Sequence, residues 1–156
     1  MGSGIAEVCA RAGLDVMVRE VNPAAMEAGQ KRLTASLDRA LGANKITEDD
    51  RDSALARLSF TTDLADFADR QLVVEAIIED EAMKVDVFAQ LDKYVADPNA
   101  ILATNTSSIP VMKLGMATKR PSQVVGVHFF NPVPVLKLVE LVPSLLTSQD
   151  TIGRAV

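Results

Sequence analysis

The chain contains a single histidine, His128, and the residues around it suit proton transfer. Phe129-Phe130-Asn131-Pro132 follow directly, and Glu140 falls within 136–142, a stretch that alternates enough to form a strand. A strand running back beside the histidine would set a carboxylate against the imidazole, fix its tautomer and make it a better proton acceptor. An imidazole held in that way can take a proton from a hydroxyl. The same histidine also reads as a core residue between aromatic neighbours with one nitrogen satisfied, and its identity alone leaves both readings open. A second group of polar residues, Asn105-Thr106-Ser107-Ser108, follows the buried apolar run 100–103. Ligands of open α/β sheets bind beyond the carboxyl ends of the strands, so the loops after 103 and after 127 would share one edge of the sheet. Asn105 and Ser107 are equally good turn formers and helix caps.

A further set of candidates lies at the amino end. Gly2 and Gly4 precede Ile5, Ala6, Val8 and Cys9 at helical spacing, and the helix leads into a short strand, 15–18, that ends at Glu20. Glycines at such a helix start let the backbone close on a pyrophosphate, whose charge is favoured by the helix N-terminus. An acidic residue about 20 positions on accepts from ribose hydroxyls, and its charge disfavours a 2′-phosphate. By itself a glycine pair before a helix is also an ordinary turn.

These residues need elements to hold them. Ala12-Gly13 is a helix stop. Asn22-Pro23 is an N-cap followed by proline at the first helical position, opening a helix from Ala24 to about Leu41. After a turn at Gly42-Ala43-Asn44, Thr47 caps a second helix, so the two form a helical hairpin inserted after a strand. Residues 58–61 read as a strand and Asp63 as the start of a helical turn. The run 72–77 is nearly all apolar, which predicts a parallel strand covered on both faces. Residues 81–95 predict an amphipathic helix with Val85, Phe88, Leu91 and Tyr94 or Val95 inward, and 100–103 and 124–127 predict two more buried strands. Strands alternating with helices predict an α/β fold with a mainly parallel sheet.

Composition narrows the partners. With 156 residues the chain fits one domain, and its 48% hydrophobic and 24% charged content is that of an ordinary globular protein. A net charge of −5 argues against nucleic acid and anionic membranes, and no apolar run approaches the roughly 18 residues of a membrane span. A phosphate-bearing small molecule needs only a few local donors and stays possible. The lone Cys9 forms no internal disulfide, which suits a reducing cytoplasm, and no basic leader precedes the first helix. No metal-ligand spacing stands out.

The segments Ala103-Thr-Asn-Thr-Ser-Ser108 and His128-Phe-Phe-Asn-Pro-Val-Pro-Val-Leu-Lys-Leu-Val-Glu140 resemble the signature of 3-hydroxyacyl-CoA dehydrogenases, including 3-hydroxybutyryl-CoA dehydrogenases. Met1-Gly-Ser-Gly-Ile-Ala6 resembles the end of that family's glycine-rich turn. Val73-Val-Glu-Ala-Ile-Ile-Glu79 with Lys84, and the hairpin at 23–57, resemble it too. The resemblance implies a Rossmann-type, doubly wound fold with residues 1–156 as the NAD-binding domain, its first strand missing ahead of Met1. It also implies a helical C-terminal dimerisation domain that this chain lacks. The implied cofactor is NAD and the implied substrate an (S)-3-hydroxyacyl-CoA of fatty-acid β-oxidation, in a cytoplasmic homodimer. In the family pattern His128 is the base, Glu140 orients it, and Ser107 and Asn131 hold substrate and nicotinamide. Gly2, Gly4, Glu20, Ala76, Glu79, Lys84 and Asn105 fall where the family contacts NAD, and Ser36 where it contacts CoA. The basic residue expected after Ser36 is poorly matched, since only Lys45 follows Leu41-Gly42-Ala43-Asn44. Two alternatives accompany this reading: a relative acting on a free hydroxy acid such as L-gulonate, and a non-catalytic fragment with little turnover of its own. Without the resemblance, Glu79 and Lys84 would read as an exposed ion pair on a solvated helix face.

Overall fold

A computed structural model describes residues 1–156, which divide into two units: Met1–Asp63 with Asn131–Lys137, and Leu64–Phe130 with Leu138–Val156.

In the first unit the order is α1 (Gly2–Arg11), β1 (Val16–Arg19), α2 (Pro23–Gly42), α3 (Glu48–Ala56) and β2 (Leu58–Thr61). Both helix stops read from the sequence close by the same backbone device. Gly13, at φ +93°, lets its own N–H reach Ala10 O and the N–H of Leu14 reach Cys9 O. Asn44, at φ 54°, does the same after α2, where the N–H of Lys45 bonds Ala40 O. The caps are also local: Asn22 Oδ1 accepts from the Ala25 N–H at 2.8 Å, and Thr47 and Asp50 form a reciprocal capping box. β1 and β2 pair in parallel, with Val16 opposite Leu58 and Arg19 opposite Thr61. Ala6 and Ala10 of α1, Leu33 and Leu37 of α2 and Ala54 of α3 form the core, which Val16, Val18, Leu58 and Phe60 complete. The small alanines on α1 let three helices meet closely over two strands.

The second unit contains β3 (Leu72–Glu75), α4 (Glu81–Tyr94), β4 (Ile101–Thr104), α5 (Val111–Met116), β5 (Val124–Phe129), β6 (Val139–Pro143) and α6 (Gln149–Ala155). Its four strands run in the order β3-β4-β5-β6, parallel except for the antiparallel pair β5–β6. β4 is buried at every position, as an apolar central strand should be. β3 differs from expectation. It ends at Glu75 and pairs only with β4, so Leu72 is exposed and the strand alternates instead of being covered on both faces. α4 also departs from the apolar pattern: Lys84, with Phe88 and Leu91, is what it buries, while Val85 is half-buried. No helix is long and apolar enough to cross a membrane.

The β5–β6 pair differs from the predicted boundaries in a way that matters. β5 extends to Phe129 because β6 pairs with it through that residue, so His128 lies on the strand and not after it. β6 begins at Val139, three residues later than the alternating pattern suggested. The close approach of the two strands depends on Gly126. A Cβ there would stand 2.8 Å from Val142 Cβ and 3.0 Å from Val142 O. Replacing Gly126 with alanine should therefore force β6 away from β5, at a cost of about 1–3 kcal/mol. A thermal melt should show the midpoint falling by about 2–4 °C for each kcal/mol lost; an unchanged midpoint would mean that this contact constrains nothing.

Candidate active site

Register sets the chemistry of the second unit. His128 and Glu140 are direct partners across β5 and β6, two positions beyond Gly126 and on the same face. His128 Nδ1 lies 3.1 Å from Glu140 Oε2, with the imidazole 21% and the carboxylate 52% exposed. The Phe130 ring packs against the imidazole, centroid to centroid 4.6 Å at a tilt of 58°. Nε2 makes no hydrogen bond within the chain and is left for a ligand. This is not a core histidine locked on both sides. It is a ring held at one nitrogen and along one face, with the other nitrogen available.

The loop after β4 is tied to the same strand end. Asn105 Oδ1 accepts from the Phe129 N–H at 2.8 Å, and the Asn105 N–H donates to Glu75 O. Asn105 is thus a brace between β3, β4 and β5 and not a helix cap, since α5 begins only at Val111. The turn is made by Thr106, whose Oγ1 accepts from the N–H groups of Ser108 and Ile109 and donates to Glu79. Ser107 gives only its N–H to Glu79, at 3.3 Å, and its hydroxyl is exposed. Ala76 is half-buried just past the end of β3.

Glu79 and Lys84 do pair, at 3.2 Å, but only the Glu79 end of the pair is solvated, its side chain 40% exposed. Lys84 is 1% exposed, and its ammonium donates to both oxygens of the equally buried Glu75, at 2.8 and 3.0 Å. Thr104 Oγ1 and the Ile77 N–H also donate to Glu75. Burial pushes the Glu79 carboxyl up, but the hydrogen bonds from Thr106, Lys84 and Ser108 and the charge of Lys84 outweigh it. They hold it at about 2, down from 4.5. Glu75, Thr104 and Thr106 were not singled out from the sequence. The only sign of them was an acidic residue ending an apolar strand.

In the first unit, Gly2 and Gly4 sit in the first turn of α1, which has no side-chain cap. Gly4 is required there: a Cβ would lie 2.9 Å from that of Val133, which the 131–137 segment packs onto the helix. Asn131 is exposed and precedes Pro132 through a cis peptide. Ser36 lines a cavity of about 420 Å³ together with Ser3, Gly4, Glu7, Arg32 and Arg39. Glu20 does not line it; it is half-buried at the end of β1, its N–H bonded to Thr61 O. Arg32 and Arg39 were missed as candidates, although with Ser36 they share one face of α2 at spacings of four and three.

Two measurements test the buried network. Lys84→Met strands the Glu75 carboxylate and should cost about 3–5 kcal/mol, whereas Lys84→Met with Glu75→Leu should recover most of that loss; denaturant unfolding of both variants decides. Because Glu79 titrates below its ordinary range, its contribution to stability is complete above pH 4.5 and is lost as the pH falls towards 2. Melts of Glu79→Gln should accordingly lose less stability across that window than the parent chain, and parallel curves would contradict the network.

Residues 1–156 match the family described as the 3-hydroxyacyl-CoA dehydrogenase, NAD binding domain. A 3-hydroxybutyryl-CoA dehydrogenase of Mycobacterium tuberculosis (strain ATCC 25618 / H37Rv) is 59% identical over 154 residues, which are 99% of this chain and 54% of that protein. The crystal structure of M. tuberculosis FadB2 superposes with a TM-score of 0.97 at 59% identity, covering 99% of this chain and 54% of that one. That of (S)-3-hydroxybutyryl-CoA dehydrogenase PaaH1 from Ralstonia eutropha superposes with a TM-score of 0.96 at 42% identity and the same coverage. The chain spans about half the length of the curated relatives it matches. Its α/β architecture is that of the Rossmann-type domains in these structures. The chain belongs to the 3-hydroxyacyl-CoA dehydrogenase family, as a member of its NAD-binding domain.

Proposed function

We propose that this chain carries the cofactor-binding and proton-transfer residues for NAD-dependent oxidation of the 3-hydroxyl of an (S)-3-hydroxyacyl-CoA to the 3-oxoacyl-CoA, and for the reverse reaction. The observation that carries the proposal is the His128–Glu140 pair, with Nδ1 engaged and Nε2 available.

The residues present fit NAD. α1 starts on glycines without a side-chain cap, so the N–H groups of Gly2 and Ser3 can meet a pyrophosphate. Glu20 is an acceptor without a partner in the chain, suited to ribose hydroxyls. When bound, NAD supplies the hydride acceptor. His128 Nε2 takes the proton of the C3 hydroxyl as C3 gives up its hydride, and Glu140 holds the ring in the tautomer that allows this and stabilises the imidazolium formed. Reduction of the 3-oxo group returns that proton from the imidazolium. The Ser107 hydroxyl and the Asn131 amide are donors for the substrate oxygen and the nicotinamide carboxamide. Glu79 acts by holding the 105–108 loop, and Lys84, buried, acts through Glu79 and Glu75 instead of touching the cofactor. Asn105 acts likewise by bracing the end of β5. Ser36, beside Arg39 in a cationic cavity, suits the phosphate-bearing end of CoA. A cytoplasmic homodimer is part of the same family reading.

In the dehydrogenase carrying this chain, His128→Gln should lower kcat by about 10²–10⁴-fold while NADH still binds, and Glu140→Gln should lower it less. Acetoacetyl-CoA with NADH should be turned over and L-gulonate with NAD should not. An unaffected rate in His128→Gln, or turnover of L-gulonate alone, would overturn the assignment.

A further inference from the structure

The imidazole of His128 has few neighbours to hold it. Side chains alternate along a strand, so Gly126 and Phe130 flank it along the line of β5. Gly126 has no side chain. Towards β4 the pairing has already ended, with Thr104 opposite Gly126. Across β6 the partner is Glu140. Of these flanking positions only Glu140 and Phe130 set a side chain against the ring. Nδ1 lies 3.1 Å from Glu140 Oε2, and the centroid of the Phe130 ring lies 4.6 Å from that of the imidazole.

The two supports differ in how well they resist water. Glu140 is 52% exposed, and a polar pair so open to solvent contributes little to holding a side chain, because water competes for both partners. The aromatic contact meets no such competition. Separating the rings exposes apolar surface, and tilted packing at this spacing is favourable beyond the area it buries.

We infer that Phe130 is a positioning residue for the base: it holds the imidazole in the orientation from which Nδ1–H donates to Glu140 and Nε2 stays open to the substrate hydroxyl. This rests on the reading of His128 as the base. Phe130 takes no part in the proton or hydride transfer itself. Turning the imidazole about its side-chain bonds would break the Glu140 bond and swing Nε2 away, and a misplacement of about 1 Å can cost about 10²-fold in rate. A leucine in place of Phe130 fills comparable space but offers no flat ring, so the imidazole is free to turn. A tyrosine keeps the ring.

The test pairs kinetics with the spectroscopy of one residue. In the dehydrogenase carrying this chain, Phe130→Leu should lower kcat by about tenfold, the upper worth of one aromatic contact, with KM for NADH and for acetoacetyl-CoA unchanged. Phe130→Tyr should recover most of that loss. In a His128→Gln background Phe130→Leu should cost nothing more, because no base is left to orient. His128 is the single histidine of the 156-residue chain, so its ring nitrogens give unambiguous NMR signals. With the imidazole neutral, their shifts should report the Nδ1–H form in the parent and in Phe130→Tyr, and a mixture of the two tautomers in Phe130→Leu. Thermal melts confirm that each variant is folded. A parent rate in Phe130→Leu, a loss that persists in the His128→Gln background, or an unmixed tautomer in Phe130→Leu overturns the role given to Phe130 alone. An unaffected rate in His128→Gln overturns the reading of His128 as the base, and this inference with it.

Discussion

An ammonium group taken out of water must be met by charge and hydrogen bonds or it unfolds what buries it. Lys84 is buried almost completely, and the second unit is arranged around its neutralisation. The end of β3 provides Glu75, β4 steadies that carboxylate through Thr104, and the link into α4 provides Glu79. Glu79 in turn collects Thr106, Ser107 and Ser108. One cation therefore sets the height of α4 on the sheet and the course of the loop that follows β4. A methionine of similar length would fill the space but could not organise four segments, because only a charge draws two carboxylates to one point.

The other half of the arrangement is steric. Parallel strands place their neighbours through distant crossovers, whereas an antiparallel pair fixes residues directly opposite one another. The single antiparallel step in the sheet is the one that sets a carboxylate against the imidazole. Its closeness comes from a missing side chain at Gly126, and the Asn105 amide braces the far end of the same strand. The geometry of the His128–Glu140 pair thus depends on backbone pairing that packing over β5 also stabilises, with Val125 fully buried three residues from His128.

Much of this was legible in the residues, and the division follows the range of the interactions. Asn22, Thr47, Gly13 and Asn44 act on backbone within a few positions, so their caps and stops could be read directly. Glu140 could be placed beside His128 because an alternating strand soon after a turn has few ways to return. The burial of Lys84 could not be read, since its partners come from β3 and its surroundings from β4 and the 105–108 loop. A lysine at a helix start is normally solvated. Leu72 looked like part of a covered strand, but coverage depends on which strands lie beside it, and β3 pairs on one side only. The extension of β5 through His128 likewise belongs to its pairing with β6. The arginine face of α2 went unread although its spacing carries it, and whether Arg32 had a partner depended on where the acidic residues fell in space.

The depth of Lys84 has a bearing on chemical damage. Thioesters acylate exposed amines without any catalyst, and a protein that handles acyl-CoA meets that reagent at every encounter. An amine can attack only when its nitrogen lone pair is free and can reach the carbonyl carbon. Lys84 meets neither condition: it is 1% exposed, and its nitrogen is held between carboxylate oxygens. The lysine that organises this unit is therefore shielded by its own fold from the reactivity of the proposed substrate, while Lys31 and Lys113, though each paired with a carboxylate, are exposed and lack that burial.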